Sequence, residues 1–126
     1  MPFYEFTVPT DSPSARLKAE IAAAVTEVHT SVTRAPASYV NVAFTEVPPG
    51  SIFAANKEVP HGRMVGVIRI GRTLEPKQKL PTELATAWSQ VTGEPMEGVA
   101  LWLQELSGSL TMEEGQILPE ASEDWA

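Results

Sequence analysis

The stretch IAAAVTEVHTSVTRAPASYVNVAFTE, from Ile21 to Glu46, changes its hydrophobic period half-way and thereby decides the fold. Ile21, Ala24, Val25, Val28 and Val32 recur at three- and four-residue spacing, which puts one apolar stripe on a helix. Pro36 is expected to end that helix. From Tyr39 to Glu46 the period becomes two: Val40, Val42 and Phe44 alternate with Asn41, Ala43 and Thr45, as in a strand with two distinct faces. A helix that hands over to a strand is the second half of a β-α-β unit.

The first half lies upstream. FYEFTV (Phe3 to Val8) is rich in aromatic and β-branched residues and reads as a strand. PTDSP is a turn, with Ser12 as N-cap and Pro13 as first helical residue. The helix then runs about five turns, with Leu17 joining the stripe. Downstream, VPPGSIFAANKEVPHG is a proline-punctuated connection holding a small hairpin or an irregular flap. RMVGVIRI is a third strand. A helical segment covers about Thr73 to Thr92, with Leu80, Leu84, Trp88 and Val91 on one face. Pro81 would cost a hydrogen bond inside it, so the regular helix is expected to begin only there. GVALWLQEL (Gly98 to Leu106) is the fourth strand, and the remainder is a tail with acids and no bases.

The same unit therefore occurs twice, in halves of about 60 residues without visible sequence similarity. Right-handed crossovers make each unit's strands parallel neighbours. The prediction is an α/β two-layer sandwich: tandem β-α-β units forming a four-stranded sheet with two helices on one face. A single domain spans 1–126, with one unit over about 1–60, the second over about 61–110, and an acidic tail at 111–126. The uncovered sheet face is apolar enough to demand burial, and self-association supplies it.

Bulk composition narrows the function. The chain is 43% hydrophobic and 20% charged, an ordinary globular balance. Nine Lys and Arg stand against 16 Asp and Glu, a net charge of −7 with no basic cluster, which argues against nucleic acid and anionic membrane surfaces. Without cysteine there is no disulfide, thiolate or zinc-knuckle chemistry. No secretory signal or membrane-spanning run is visible, so a cytoplasmic location is expected.

Few residues remain to carry chemistry. His29 sits at the border of the helical stripe near the helix end, where the dipole alone would favour a histidine. His61 sits in a turn and reads as solvated. Arg69 and Arg72, in IRIGR, lie three apart at the end of an apolar strand, where open α/β sheets bind ligands. A guanidinium pair there suits a carboxylate ligand, or an ion pair with the chain's own acids. Glu113 and Glu114 are adjacent acids that matter only if folded back toward a base, a nucleophile or a water. No metal-ligand spacing, phosphate loop or serine–histidine–acid pattern occurs.

In order, the Met-Pro start with Tyr4 soon after, TEVHTSVT, VNVAFTEVPPGSIF, IRIGR, a tryptophan-bearing strand and EEGQILP span almost the whole chain. Together they resemble the tautomerase superfamily, and within it the cis-3-chloroacrylic acid dehalogenase group. The resemblance implies a homotrimer of β-α-β units and a cofactor-free, metal-free active site for a small carboxylate substrate. It implies that Pro2, exposed by removal of Met1, is catalytic base or acid. By the same likeness His29, Arg69 and Arg72 hold the substrate's oxygens, Glu113 activates water, and Tyr4 contacts substrate. The dehalogenase tyrosine of the last strand is missing; Trp102 or Gln104 occupies its place, which favours tautomerisation over dehalogenation.

A model α-amino group titrates near ~7.7–8.0, and desolvation beside arginines lowers that value, so a proline nitrogen can serve as a base near neutrality. Three functions follow from the resemblance. One is a tautomerase of small 2-oxo acids such as arylenolpyruvates. The second is a hydratase, dehalogenase or decarboxylase of three-carbon acids, with Pro2 as acid. The third is a non-catalytic trimeric binding module.

Overall fold

The computed structural model describes residues 1–123. Its four-stranded sheet has the order β2-β1-β5-β6, formed by β1 (Phe3–Pro9), β2 (Asn41–Val47), β5 (Arg63–Arg69) and β6 (Ala100–Leu106). β1 pairs parallel with β2, and β5 parallel with β6. The central pair β1·β5 is antiparallel, with Phe3 opposite Val67 and Thr7 opposite Arg63. Helices α2 (Lys18–Thr33) and α3 (Leu74–Thr92) cover one face, giving the expected α/β sandwich.

The first helix departs from its expected form. Ser12 does cap it, its Oγ accepting from the Ala15 N–H at 3.2 Å, and Pro13 opens α1 (Pro13–Arg16). At Leu17 the backbone leaves the helical region (φ −116°, ψ 35°), and α2 starts afresh at Lys18. Backbone bonds from Leu17 N–H to Pro13 and from Ile21 N–H to Leu17 keep the two pieces joined. α2 ends before Pro36: Arg34 turns left-handed (φ 65°), and its N–H closes on Thr30. Ala37 to Tyr39 then form a 3-10 turn, so β2 begins at Asn41 rather than Tyr39.

The second helix runs through Pro81 without a break, contrary to the expectation that it would begin there. Pro76 falls in the first turn, where an N–H has no intrahelical partner anyway. Pro81 costs one donor in mid-helix, and Leu80, Leu84 and Trp88 on the buried face hold the helix across it. β6 begins at Ala100, because Met96 to Gly98 make a second 3-10 turn.

The core between sheet and helices contains Tyr4, Phe6, Val25, Met64, Leu84 and Trp88. Phe6 stacks on Phe44 at 4.9 Å and meets Trp88 edge-on at 5.0 Å, geometries that aromatic quadrupoles favour. Tyr4 lies over Gly66, where a Cβ would stand 2.6 Å from its ring. The opposite sheet face leaves Phe3, Val65 and Trp102 exposed.

Each β-α-β unit ends on a two-residue hairpin. β3 (Phe53–Ala54) and β4 (Lys57–Glu58) are joined by Ala55 and Asn56 at φ 50° and 67°. β7 (Met112–Glu113) and β8 (Gln116–Ile117) are joined by Glu114 and Gly115 at φ 54° and 78°. Paired positive φ values match the twist of the flanking strands. The segment read as an acidic tail thus folds back, and Ala121 N–H reaches the Ile70 carbonyl at 2.8 Å.

His61 is paired rather than merely solvated. Its Nδ1 lies 2.8 Å from Oε2 of buried Glu94, whose Oε1 accepts from Ser14 Oγ at 2.5 Å. Ser14 in turn accepts from Trp88 Nε1 at 2.8 Å. This polar cluster locks the sheet end at the start of β5, opposite the end where Pro2 lies.

Candidate active site

The antiparallel register of β1 and β5 puts the start of one beside the end of the other. Pro2 precedes Phe3, and Phe3 faces Val67, so the amino terminus stands next to the β5 exit that carries Arg69 and Arg72. Pro2 is buried, and its carbonyl accepts from the Asn41 backbone N–H at 3.0 Å and from Asn41 Nδ2 at 3.3 Å. Sequence reasoning read Asn41 only as a polar strand position; its contact with Pro2 depends on the parallel pairing of β1 with β2.

Met1 is 5% exposed, and its amine makes an ion pair with Glu113 on β7. The hairpin therefore brings Glu113 back across the sheet end onto the amino terminus. A cavity of about 670 Å³ opens here, lined among others by Met1, Phe3, Asn41, Val67, Leu106 and Glu113. Glu114, at the hairpin turn, is exposed and lies on the cavity's rim.

His29 continues the buried line Ile21–Val25 on α2 and is fully buried, not at the stripe's border. Its Nδ1 lies 2.6 Å from the Tyr4 hydroxyl, the rings meeting edge-on. Burial holds His29 down to about 3, with Arg72, the amino terminus and Arg69 pushing the same way. Burial raises the Tyr4 phenol, against a smaller lowering by Arg72. Both groups are thus neutral near pH 7, His29 within electrostatic reach of the two arginines and the amine, and Tyr4 of Arg72.

Arg69 is buried, and its Nη1 donates to the Pro119 carbonyl at 2.8 Å. Arg72 is half-buried, and its Nη1 donates to the Arg69 carbonyl at 3.2 Å. Gln104 is in register with Val67 and shares its row with Phe3, beside the cavity. Trp102, in register with Val65, stands one row away and is 56% exposed. Tyr4 points into the core side rather than the cavity. Among the described residues no group of three His, Cys, Asp or Glu gathers as metal ligands, and no helix is long and apolar enough to cross a membrane.

A family model described as "Putative oxalocrotonate tautomerase enzyme" matches residues 1–125. The chain belongs to the tautomerase superfamily. Members of that superfamily are catalytic, and this tautomerase-superfamily chain groups with the cis-3-chloroacrylic acid dehalogenase-like proteins. It is similar to the crystal structure of N1, a member of the cis-3-chloroacrylic acid dehalogenase (cis-CaaD) family: TM-score 0.91, 27% identity, 97% of this chain and 87% of that one. Native Ps01740 matches at TM-score 0.81 and 32% identity over 88% of this chain and 99% of its own. The F6 fused 4-OT wild type asymmetric trimer shares the fold at TM-score 0.82 and 20% identity, over 91% and 94% of the two chains. No curated protein matches the chain in sequence.

Proposed function

We propose that the protein is a cofactor-free tautomerase of small 2-oxo acids, working as a homotrimer, with Pro2 as general base once Met1 is removed. The observation that carries this reading is the convergence of the amino terminus, Glu113, His29 and two arginines at one sheet end. While Met1 is attached, the Pro2 nitrogen is an amide and has no basic lone pair. Loss of Met1 makes it a secondary amine with a free lone pair, held in position through the bonds from Asn41 to the Pro2 carbonyl.

In the reaction, Arg69 and Arg72 hold the substrate carboxylate. Pro2 takes the proton from the carbon next to the carbonyl and returns it on oxygen, or runs the reverse path, so that no atom is gained or lost. His29 stabilises the enolate oxygen. With Tyr4 donating its phenolic proton to Nδ1, the neutral imidazole carries its proton on Nε2, which is buried without a hydrogen-bond partner among the described residues. A buried orphan donor is costly unless a ligand satisfies it. Gln104, in the row of Val67 and Phe3 that line the cavity, takes the place of the dehalogenase tyrosine, and Trp102 belongs to the association face.

A second reading, hydration or dehalogenation of three-carbon unsaturated acids, is favoured by Glu113. On its hairpin it stands where a carboxylate could direct water at substrate. The test is Pro2→Ala: arylenolpyruvate ketonisation should fall at least a hundredfold, and full activity in that variant would rule out Pro2 as the base. Glu113→Gln separates the two readings, because it should abolish hydration of an acetylenic or haloacrylic acid and leave ketonisation within a few-fold.

A further inference from the structure

We propose that Glu120 is a positioning residue that holds Arg69 through the chain segment from Leu118 to Ala121. The inference rests on the reading of Arg69 as a substrate-carboxylate clamp. Arg69 is buried at the very end of β5, and the Pro119 carbonyl accepts from its Nη1. That carbonyl is fixed from both sides. Leu118 N–H donates to the Thr111 carbonyl at 3.2 Å, and Ala121 N–H to the Ile70 carbonyl at 2.8 Å.

Between these ties, Glu120 Oε1 accepts from Ser107 Oγ and from Gly108 N–H, each at 2.6 Å. Ser107 and Gly108 directly follow β6, so the carboxylate pins the strap to the edge strand of the sheet. The Ser107 hydroxyl holds the Glu120 carboxyl below its ordinary range, with a smaller push from Arg69. The strap crosses so closely that a Cβ on Gly108 would stand 2.3 Å from the Pro119 carbonyl oxygen, and one on Gly71 2.6 Å from the Ser122 nitrogen. Gly71 has φ 126° as well, so that position is reserved for glycine twice over. β8 runs straight into Leu118, so one anchor sets Arg69 relative to the hairpin that carries Glu113.

The test compares Glu120→Ala, Glu120→Gln and Arg69→Ala with the wild type, all as full chains. Glutamine keeps a carbonyl oxygen able to accept both bonds; alanine keeps neither. Two readouts are taken: the NMR signal of the Arg69 Nε–H, and KM and kcat for enol ketonisation. In Glu120→Ala the Arg69 signal should shift and broaden and KM should rise about tenfold with kcat within about twofold, the pattern of lost ground-state binding. Glu120→Gln should restore both. An Arg69 signal unmoved in Glu120→Ala, or a glutamine variant as disturbed as the alanine one, overturns the inference. An unchanged KM in Arg69→Ala would instead reject the clamp reading, while the NMR comparison still decides whether Glu120 places Arg69.

Discussion

The Tyr4 hydroxyl lies 2.6 Å from Nδ1 of His29, joining the first strand to the last turns of α2 inside the core. Tyr4→Phe keeps the ring over Gly66 and deletes only this bond. It leaves a buried imidazole nitrogen without a partner, which costs about 1–3 kcal/mol. Urea unfolding should register that loss, and ketonisation should drop as the imidazole loses its fixed tautomer. A variant as stable as wild type would mean that the bond contributes nothing net.

The depressed His29 value has a consequence for stability against pH. The unfolded chain takes up a proton near the ordinary histidine value of about 6.5, whereas the folded chain resists until about 3. The unfolded state therefore binds more protons in that window, and His29 destabilises the fold as pH falls through it, by up to about 1.4 kcal/mol per pH unit. The stability difference between wild type and His29→Gln should slope accordingly between pH 6.5 and pH 3. A difference independent of pH would show that His29 titrates normally.

Gly66 gives a purely steric prediction. Its Cβ would meet the Tyr4 ring at 2.6 Å and Leu103 at 2.8 Å. Gly66→Ala should cost about 1–3 kcal/mol through overpacking, measured by thermal or urea unfolding. An alanine variant of unchanged stability would mean that the ring shifts freely.

The face opposite the helices tests the association. Val65 and Trp102 are cross-strand neighbours there, and both are exposed. Trp102→Glu puts a charge onto this face at the edge strand β6 and should yield monomers by sedimentation. A persistent trimer would move the interface elsewhere on the molecule.

The sheet and helices were legible because the hydrophobic period switches cleanly, as between Val32 and Val40. Boundaries were less so. Pro81 suggested a helix start, but the buried run Leu80, Leu84 and Trp88 outweighs one lost hydrogen bond. The buried pairing of His61 with Glu94 joins residues 33 positions apart, and no local pattern announces it. The pairing of the two units through β1 and β5 was likewise unreadable, since antiparallel register depends on contacts between them. His29 at i+4 from Val25 could have been placed in the buried line by spacing alone, but its polarity argued for an edge.

The central claim is that the Pro2 nitrogen does the chemistry, and Met1 is the natural control. Chains with and without Met1, separated and verified by mass spectrometry, can be assayed for arylenolpyruvate ketonisation under identical conditions. Activity confined to chains that begin at Pro2 is the predicted result. Equal activity in chains that retain Met1, where the Pro2 nitrogen is an amide beside the Met1–Glu113 ion pair, would contradict the account.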